Sequence, residues 1–495
     1  MKRLRWRPRR SPTALLVAAL TLVLAGAAGV RAQVGGPRVL DPNLDVRTVT
    51  AGLSQPTAMA FLGASDMLVL EKATGRVRRV VDGVIQGTVL DLAVNSGSER
   101  GLLGIALHPA FPRNPGVYLY WTETRSGLDN AVLSDTTLLG NRVDRFVWDG
   151  SGLRFDRNII RLRAIQQDAG QPERGNHDGG VITFGPPGEK AKHQKLFIVI
   201  GDVGRRGQLQ NLPDGPFGPG VPDDQFGGPE PDDAHLTGAI LRLNDDGSIP
   251  RDNPFFRVGG KMGGEVGENV QKIFAYGLRN SFGLAFHPRG RLWDEQNGDD
   301  SFTELNQVEP GTNMGWIQVM GPVERISQFK QIERGQGARP TYRGLQQIRW
   351  PPERIADSEE EALDRLFDLE GSEYSDPEFS WKYEVAPAAI GFMFGRGLGK
   401  EYENDLFVGA ARTVTRGGHI FHFDLNGGGN RIKVDDNRLE DGVADNLDKN
   451  DLTESESLLF GENFGVGTDI ETGPNGNLFV VSLSNGAIYE IFRRR

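Results

Sequence analysis

Cysteine is absent from all 495 residues. That excludes disulfides, thiolate metal sites, iron–sulfur clusters and cysteine nucleophiles. A chain of this length can bury a core large enough to do without such staples. Positive charge is scarce: 56 Lys and Arg stand against 66 Asp and Glu, a formal net charge of −10. Nucleic-acid binders neutralise phosphates with a basic face, so nucleic acid is excluded as a partner. Long apolar runs are missing beyond the N-terminal stretch, which excludes a polytopic membrane protein. Long amphipathic helices are also missing after residue 40, apart from one insertion. What abounds is glycine, 66 residues, with 28 prolines. That composition points to a turn-rich, all-β chain.

Residues 1–32 read as a secretory signal peptide. Met1–Pro12 carries Lys2, Arg3, Arg5, Arg7, Arg9 and Arg10 with no acid, and Thr13–Val30 is an Ala/Leu-rich run. Val30, Arg31 and Ala32 then form a small-residue cleavage site. The expected destination is the periplasm or the extracellular space, with no stable membrane insertion after cleavage. An uncleaved anchor is the alternative, since the apolar run nearly spans a bilayer. Arg9-Arg10 also admits twin-arginine export. Cleavage removes seven basic groups, leaving 49 against 66 acids, a net charge of −17.

From residue 40 to 495 one pattern recurs: a turn with Pro or Gly, then a short run of large apolar residues. Its six copies are Phe61–Leu70, His108–Tyr120, Phe184–Ile200, Phe286–Trp293, Gly395–Val408 and Thr472–Val481. Uneven spacing of such units is how a blade array with variable loops reads in sequence, and it predicts a six-bladed β-propeller. A blade shared between residues near 40–60 and 480–492 would close the ring. The exception is a helical insertion near 355–372, where Ser358 and Glu361 can form a capping box ahead of Ala362, Leu363, Leu366 and Phe367. It reads as packing on the surface between blades. The acidic stretch Asp435–Glu456 lacks the spacing of an EF-hand and reads as a solvated loop, with a surface Ca²⁺ site as the alternative.

Polar groups crowd three loops. His177 lies in Arg174–Gly180, just before an apolar β-run. Asp202 stands where the run ending at Ile200 stops, and Arg279 and Asn280 precede the run Leu284–Phe286. On a propeller, such loops face one mouth of the central channel. His177, Asp202 and Arg279 there could serve as a base, its orienting carboxylate and an anion stabiliser. The bland alternative is that the Arg–Asp pair only locks blades together. The seven histidines include no pair at metal-ligand spacing beside a carboxylate on a helix, which argues against zinc.

These loops carry a resemblance. Gly101–Phe111, Asn176–Gly180, Gly201–Asp202, Ile240–Pro250, Gly277–Leu284, Glu304–Asn306, Gly311–Trp316 and Val385–Pro387 match, in order, the soluble aldose dehydrogenases of the glucose/sorbosone dehydrogenase family. Those are six-bladed propellers using pyrroloquinoline quinone (PQQ) and Ca²⁺. The resemblance implies that a sugar is oxidised at its anomeric carbon to a lactone, with hydride passing to PQQ. It makes His177 the base, Asp202 its partner, Arg279 the stabiliser of charge on the cofactor, and Asn280 and Arg412 cofactor ligands. The backbone carbonyls of Gly298 and Asp299 match the segment that binds Ca²⁺. There are departures: Gly461–Asp469 has no Arg where the family places two, Glu99 stands where a neutral amide is usual, and Thr303 where an Asp is usual. Those departures sustain a second reading, a non-catalytic propeller of the same ancestry that binds a glycan or a protein. Oligomeric state is not legible.

Overall fold

The computed structural model describes residues 35–165, 173–204, 236–335, 352–411 and 417–494. Residues 1–34 and Arg412 lie outside them. The chain is an all-β propeller, and among the described residues its strands form six sheets. Four antiparallel strands make up each sheet's main body. Pro56–Gly63, Leu102–Leu107, Ile182–Gly185, Gly283–Phe286, Pro387–Phe392 and Gly467–Thr472 are the first strands of the six. Each first strand packs on the next, and Gly467–Thr472 packs back on Pro56–Gly63, so the six form a ring. They line an axial cavity of about 180 Å³, with Ala58, Gly104, Thr183, Leu284, Ile390 and Asp469 each facing it from a different strand.

The six repeated patterns of the sequence are the hairpins that join each first strand to its second. Second strands are sandwiched between neighbouring sheets and buried on both faces, so they read as continuous apolar runs rather than alternating ones. Gly116–Thr122 and Leu406–Ala410 are buried at every position. Each buried Leu, Ile, Val or Phe in them contributes roughly 1.5–3 kcal/mol. The second strand of the fourth sheet, Leu292–Gln296, breaks the rule: Asp294, Glu295 and Gln296 are buried as completely as Leu292 and Trp293.

Ring closure is made by chain ends. Leu44–Ala51 pairs antiparallel with Ala487–Arg493, so the last sheet takes three strands from the C-terminal end and its outermost strand from the N-terminal end. Short parallel additions lengthen two sheets. Thr312–Asn313 and Glu373–Tyr374 extend the third, and Val443–Ala444 extends the fourth. Val443–Ala444 belongs to the long connection between two strands of the fifth sheet, which thereby crosses to its neighbour.

Among the described residues four short α-helices occur: Phe256–Met262, Gly264–Lys272, Ile326–Glu333 and Glu359–Asp364. The sequence pattern singled out only the last. Ser358 caps it by accepting the Glu361 N–H at 3.2 Å, while the Glu361 carboxylate reaches back to the N–H of Asp357 at 2.7 Å. Together with Ile326–Glu333 it packs over Trp316, Phe302 and Val319 in one apolar cluster.

At the axis the sheets approach so closely that only glycine fits. A Cβ on Gly391 would lie 2.1 Å from the Ile470 carbonyl of the next sheet, and one on Gly104 would lie 2.1 Å from the Gly180 carbonyl. Gly87, in the outermost strand of the first sheet, has nothing within 4 Å. Gly391→Ala should therefore cost about 1–3 kcal/mol through forced separation of two sheets, whereas Gly87→Ala should be neutral or slightly stabilising. Urea unfolding of both variants checks this; equal stability would show that the inner strands are not in such tight contact.

Candidate active site

One edge of the third sheet gathers the polar loops because its strands alternate in direction. His177 precedes the start of the first strand, Asp202 follows the end of the second, and Arg279 follows the end of the fourth. Antiparallel pairing puts that start and those ends side by side. The meeting point is Gly201: a Cβ there would lie 2.6 Å from the His177 carbonyl and 2.7 Å from that of Arg279. The Asp202 N–H donates to the Arg279 carbonyl at 2.8 Å, which ties the second loop to the third.

Asp202 is fully buried. Its Oδ1 lies 2.6 Å from His177 Nδ1 and accepts the Gly204 N–H at 2.8 Å, while Oδ2 accepts from Trp316 Nε1 at 3.1 Å. A carboxylate facing Nδ1 sets that nitrogen as the N–H donor and leaves Nε2 to take a proton. His177 has φ = 59° and Val203 has φ = 52°. A left-handed backbone at such residues costs on the order of 1–3 kcal/mol and persists only where surroundings enforce it. For His177 that enforcement includes Glu99, whose carboxylate accepts the His177 backbone N–H. Next to Glu99, Arg100 donates to the Gly175 carbonyl, and Lys72 donates to the Ser96 and Ser98 carbonyls. Burial brings the Lys72 ammonium down to about 8, and burial lifts the adjacent Asp178 carboxyl to about 7.

Arg279 is held by the buried polar run of the fourth sheet. Gln296 Oε1 accepts the Arg279 N–H at 2.8 Å, Glu295 accepts the Phe282 N–H at 2.9 Å, and Ser281 Oγ donates to Asp294 at 2.6 Å. Three consecutive side chains thus pin the Arg279–Phe282 loop, which explains why a buried strand tolerates them. Burial raises both carboxyls, Asp294 and Glu295, well above the ordinary range. The guanidinium donates from one nitrogen to the carbonyls of Asn297 and Gly298, each at 2.8 Å, and pairs with Asp299 at 3.2 Å. It also lies 5.6 Å from the Trp316 ring centroid, a cation–π contact. The buried atoms here that have no hydrogen-bond partner among the described residues include Arg279 Nε and Asn280 Oδ1. Buried polar atoms of this kind are satisfied by a ligand or water.

The structure therefore brings His177, Asp202, Arg279 and Asn280 together, with the Gly298 and Asp299 carbonyls at the same place. Both carbonyls are engaged by cations of the chain. Gly298 accepts from Arg279, and Asp299 accepts from Lys449 Nζ at 2.7 Å. Among the described residues no group of three or more His, Asp or Glu is arranged to hold a metal. Thr303, in place of an acid, accepts the Val385 N–H at 3.2 Å. The last loop brings no cation to the site, and its Glu462 pairs with Arg38 at 2.6 Å.

Four participants were not singled out from the sequence. Trp316 lay inside a matched segment, and its indole could have been read as a hydrogen-bond donor. Lys449 lies in the acidic stretch read as a solvated loop, and the structure corrects that reading. Asn446 of the same stretch is fully buried and exchanges hydrogen bonds with the Tyr383 backbone, and Lys449 pairs with Asp300. Glu333, the last residue of the helix Ile326–Glu333, receives Ser301 Oγ at 3.3 Å. Its burial, with Asp299 and Asp300 nearby, holds its carboxyl well above the usual range. Glu384 is raised to about 7 by burial, a rise limited by Lys449 and by the Ala386 N–H.

A family model described as Glucose / Sorbosone dehydrogenase matches residues 53–341. Quinoprotein glucose dehydrogenase B of Acinetobacter calcoaceticus is 30% identical over 294 residues, which are 56% of this chain and 53% of that protein. The chain thus spans about half the length of that relative. Aldose sugar dehydrogenase YliI of Escherichia coli is 24% identical over 459 residues, 91% of this chain and 93% of that one. The solved apo-form of the soluble aldose sugar dehydrogenase from Escherichia coli aligns with a TM-score of 0.59 at 22% identity, covering 91% of this chain and 100% of that chain.

Glu304, like Asp178 and Glu384, is lifted to about 7 by burial. An acid raised in the folded state contributes its full stability below its unfolded value, near 4, and loses that contribution as pH rises through 7. Each such group contributes on the order of 3–4 kcal/mol by this linkage. The melting temperature should consequently fall between pH 5 and pH 8. Glu384→Gln should shrink that fall while changing little at pH 5; an unchanged pH profile would refute the buried neutral acid.

Proposed function

Because the chain belongs to the glucose/sorbosone dehydrogenase family, we propose that it is a PQQ-dependent sugar dehydrogenase that oxidises an aldose at the anomeric carbon to a lactone. The observation that carries this reading is the 2.6 Å contact between His177 and the buried Asp202, beside Arg279. The name of the Acinetobacter relative, a quinoprotein, supports the choice of cofactor. We count the six sheets as six blades, and we take residues 1–32 as an export signal that delivers the protein to the periplasm or outside the cell.

The residues present fit a flat polyanion. Arg279 Nε and Asn280 Oδ1 are buried without protein partners among the described residues, so a bound group with its own acceptors and donors would satisfy both. Arg279 and Asn280 would hold PQQ, and Arg412, outside the described residues, would add a further cation. When bound, PQQ supplies a carbonyl carbon that accepts a hydride. His177 Nε2 takes the proton from the anomeric hydroxyl. Asp202 stabilises the imidazolium that results, because an adjacent carboxylate favours the charged ring. Its bonds to Gly204 and Trp316 keep that carboxylate from turning away. The Arg279 charge, held in a water-poor site, offsets negative charge developing at the reacting centre without reorganising.

His177→Ala should cut kcat by about 10²–10⁴ and leave PQQ affinity within a few-fold, because the base acts on the substrate proton. Arg279→Ala should weaken both. Steady-state dye reduction with aldoses after loading with PQQ, alongside calorimetric PQQ titration, checks the pair. Wild-type protein that bound no PQQ at tens of micromolar would sink the dehydrogenase reading.

A further inference from the structure

Three successive carbonyls, those of Asn297, Gly298 and Asp299, are all aimed at cations that the chain itself supplies. Arg279 takes the first two at 2.8 Å, and Lys449 Nζ takes the third at 2.7 Å while pairing with the buried Asp300 carboxylate. Gly298 and Asp299 are the positions that the resemblance assigns to Ca²⁺. Calcium needs six to eight oxygens around it at 2.3–2.6 Å. Here the oxygens that could begin such a shell are already bonded to ammonium and guanidinium protons. A divalent ion brought among them would also have to displace the guanidinium and the ammonium from their Asp299 and Asp300 partners.

Lys449 does not reach this place by chance of a long side chain. Its loop is docked by backbone and amide bonds: the Asn450 N–H donates to the Glu384 carbonyl at 2.8 Å, and Asn446 Nδ2 donates to the Tyr383 carbonyl at 3.0 Å. The Tyr383 N–H in turn donates to Asn446 Oδ1 at 2.7 Å. The parallel pairing of Val443–Ala444 with Ser380–Trp381 braces the same loop from one side. A cation carried on a loop braced at several points is a built feature of the site.

We propose that the Lys449 ammonium fills the place of the divalent cation at the Asp299 carbonyl, so that this chain's cofactor site works on a tethered monovalent charge and without calcium. The consequence for the cofactor rests on the quinone reading above; the occupation of the carbonyl by lysine does not. A tethered charge carries no metal dependence.

The test uses the full mature protein, stripped of metal with EDTA and free of PQQ, titrated calorimetrically with CaCl₂. Wild type should show no stoichiometric site, whereas Lys449→Ala should bind about one Ca²⁺. Lys449→Met, which keeps the length of the side chain but neither the donor nor the charge, guards against misfolding and should bind Ca²⁺ as well. A wild-type site as tight as that of Lys449→Ala, or no site in either folded variant, overturns the proposal. In a second arm PQQ replaces CaCl₂ as titrant, in EDTA or in millimolar Ca²⁺. Wild-type affinity should agree within about two-fold between the two conditions, and Lys449→Ala should bind at least about ten-fold more weakly in EDTA and recover in Ca²⁺. A wild type that needs Ca²⁺ to bind PQQ overturns the lysine proposal. A wild type that binds PQQ in neither condition overturns the quinone reading, and the Ca²⁺ titration then still decides the place of Lys449.

Discussion

A carboxylate cut off from water has to be fully bonded, and Asp202 meets that demand by recruiting three loops. It binds the His177 ring, the Gly204 amide and the Trp316 indole, and its own backbone N–H is given to Arg279. Removing any one partner would leave a buried charge short of a bond, a deficit of about 1–3 kcal/mol or more. This is why the loops hold one arrangement, and why the histidine tolerates a left-handed backbone. The site is rigid because its central charge has nowhere else to go.

The propeller makes this possible by placing strand ends, rather than strand faces, at the site. Faces are spent on packing between sheets, where second strands are buried on both sides. One second strand, Leu292–Gln296, carries three consecutive buried polar residues, and they hold the Arg279–Phe282 loop. Breaking the hydrophobic pattern there is the cost of positioning a buried guanidinium. The same logic extends to the insertion and to the acidic stretch. One packs over Trp316 together with the helix Ile326–Glu333; the other delivers Lys449. Neither belongs to the repeated scaffold, and both reach the site by crossing from one sheet's connection to another's edge.

A buried cluster rich in acids also sets the conditions under which the fold is comfortable. Asp178, Glu304 and Glu384 are raised to about 7 because desolvation outweighs the hydrogen bonds they receive. Cations interleave with the acids: Arg100 and Lys72 on the His177 side, Arg279 and Lys449 on the other. In a chain of net negative charge this local alternation lets an anionic group approach.

Much of the architecture was legible before any coordinate. The six turn-and-strand echoes are all first hairpins, since a strand buried on both faces must be written as an apolar run and a tight turn must be written in Gly and Pro. His177, Asp202, Arg279 and Asn280 stood out because polar groups crowd the loops at the ends of such runs and match the family's motifs. What the sequence could not determine was who meets whom across long separations. Trp316 reaches Asp202 from 114 positions away and Lys449 reaches Asp299 from 150. Such pairings follow from ring closure and from loops that change sheets, and no local period records either. The residue types at each position were decided by burial and turn geometry, which are local. That the Gly298 and Asp299 carbonyls meet Arg279 and Lys449 was decided by the tertiary structure alone, because a side chain's charge acts through space and not along the chain.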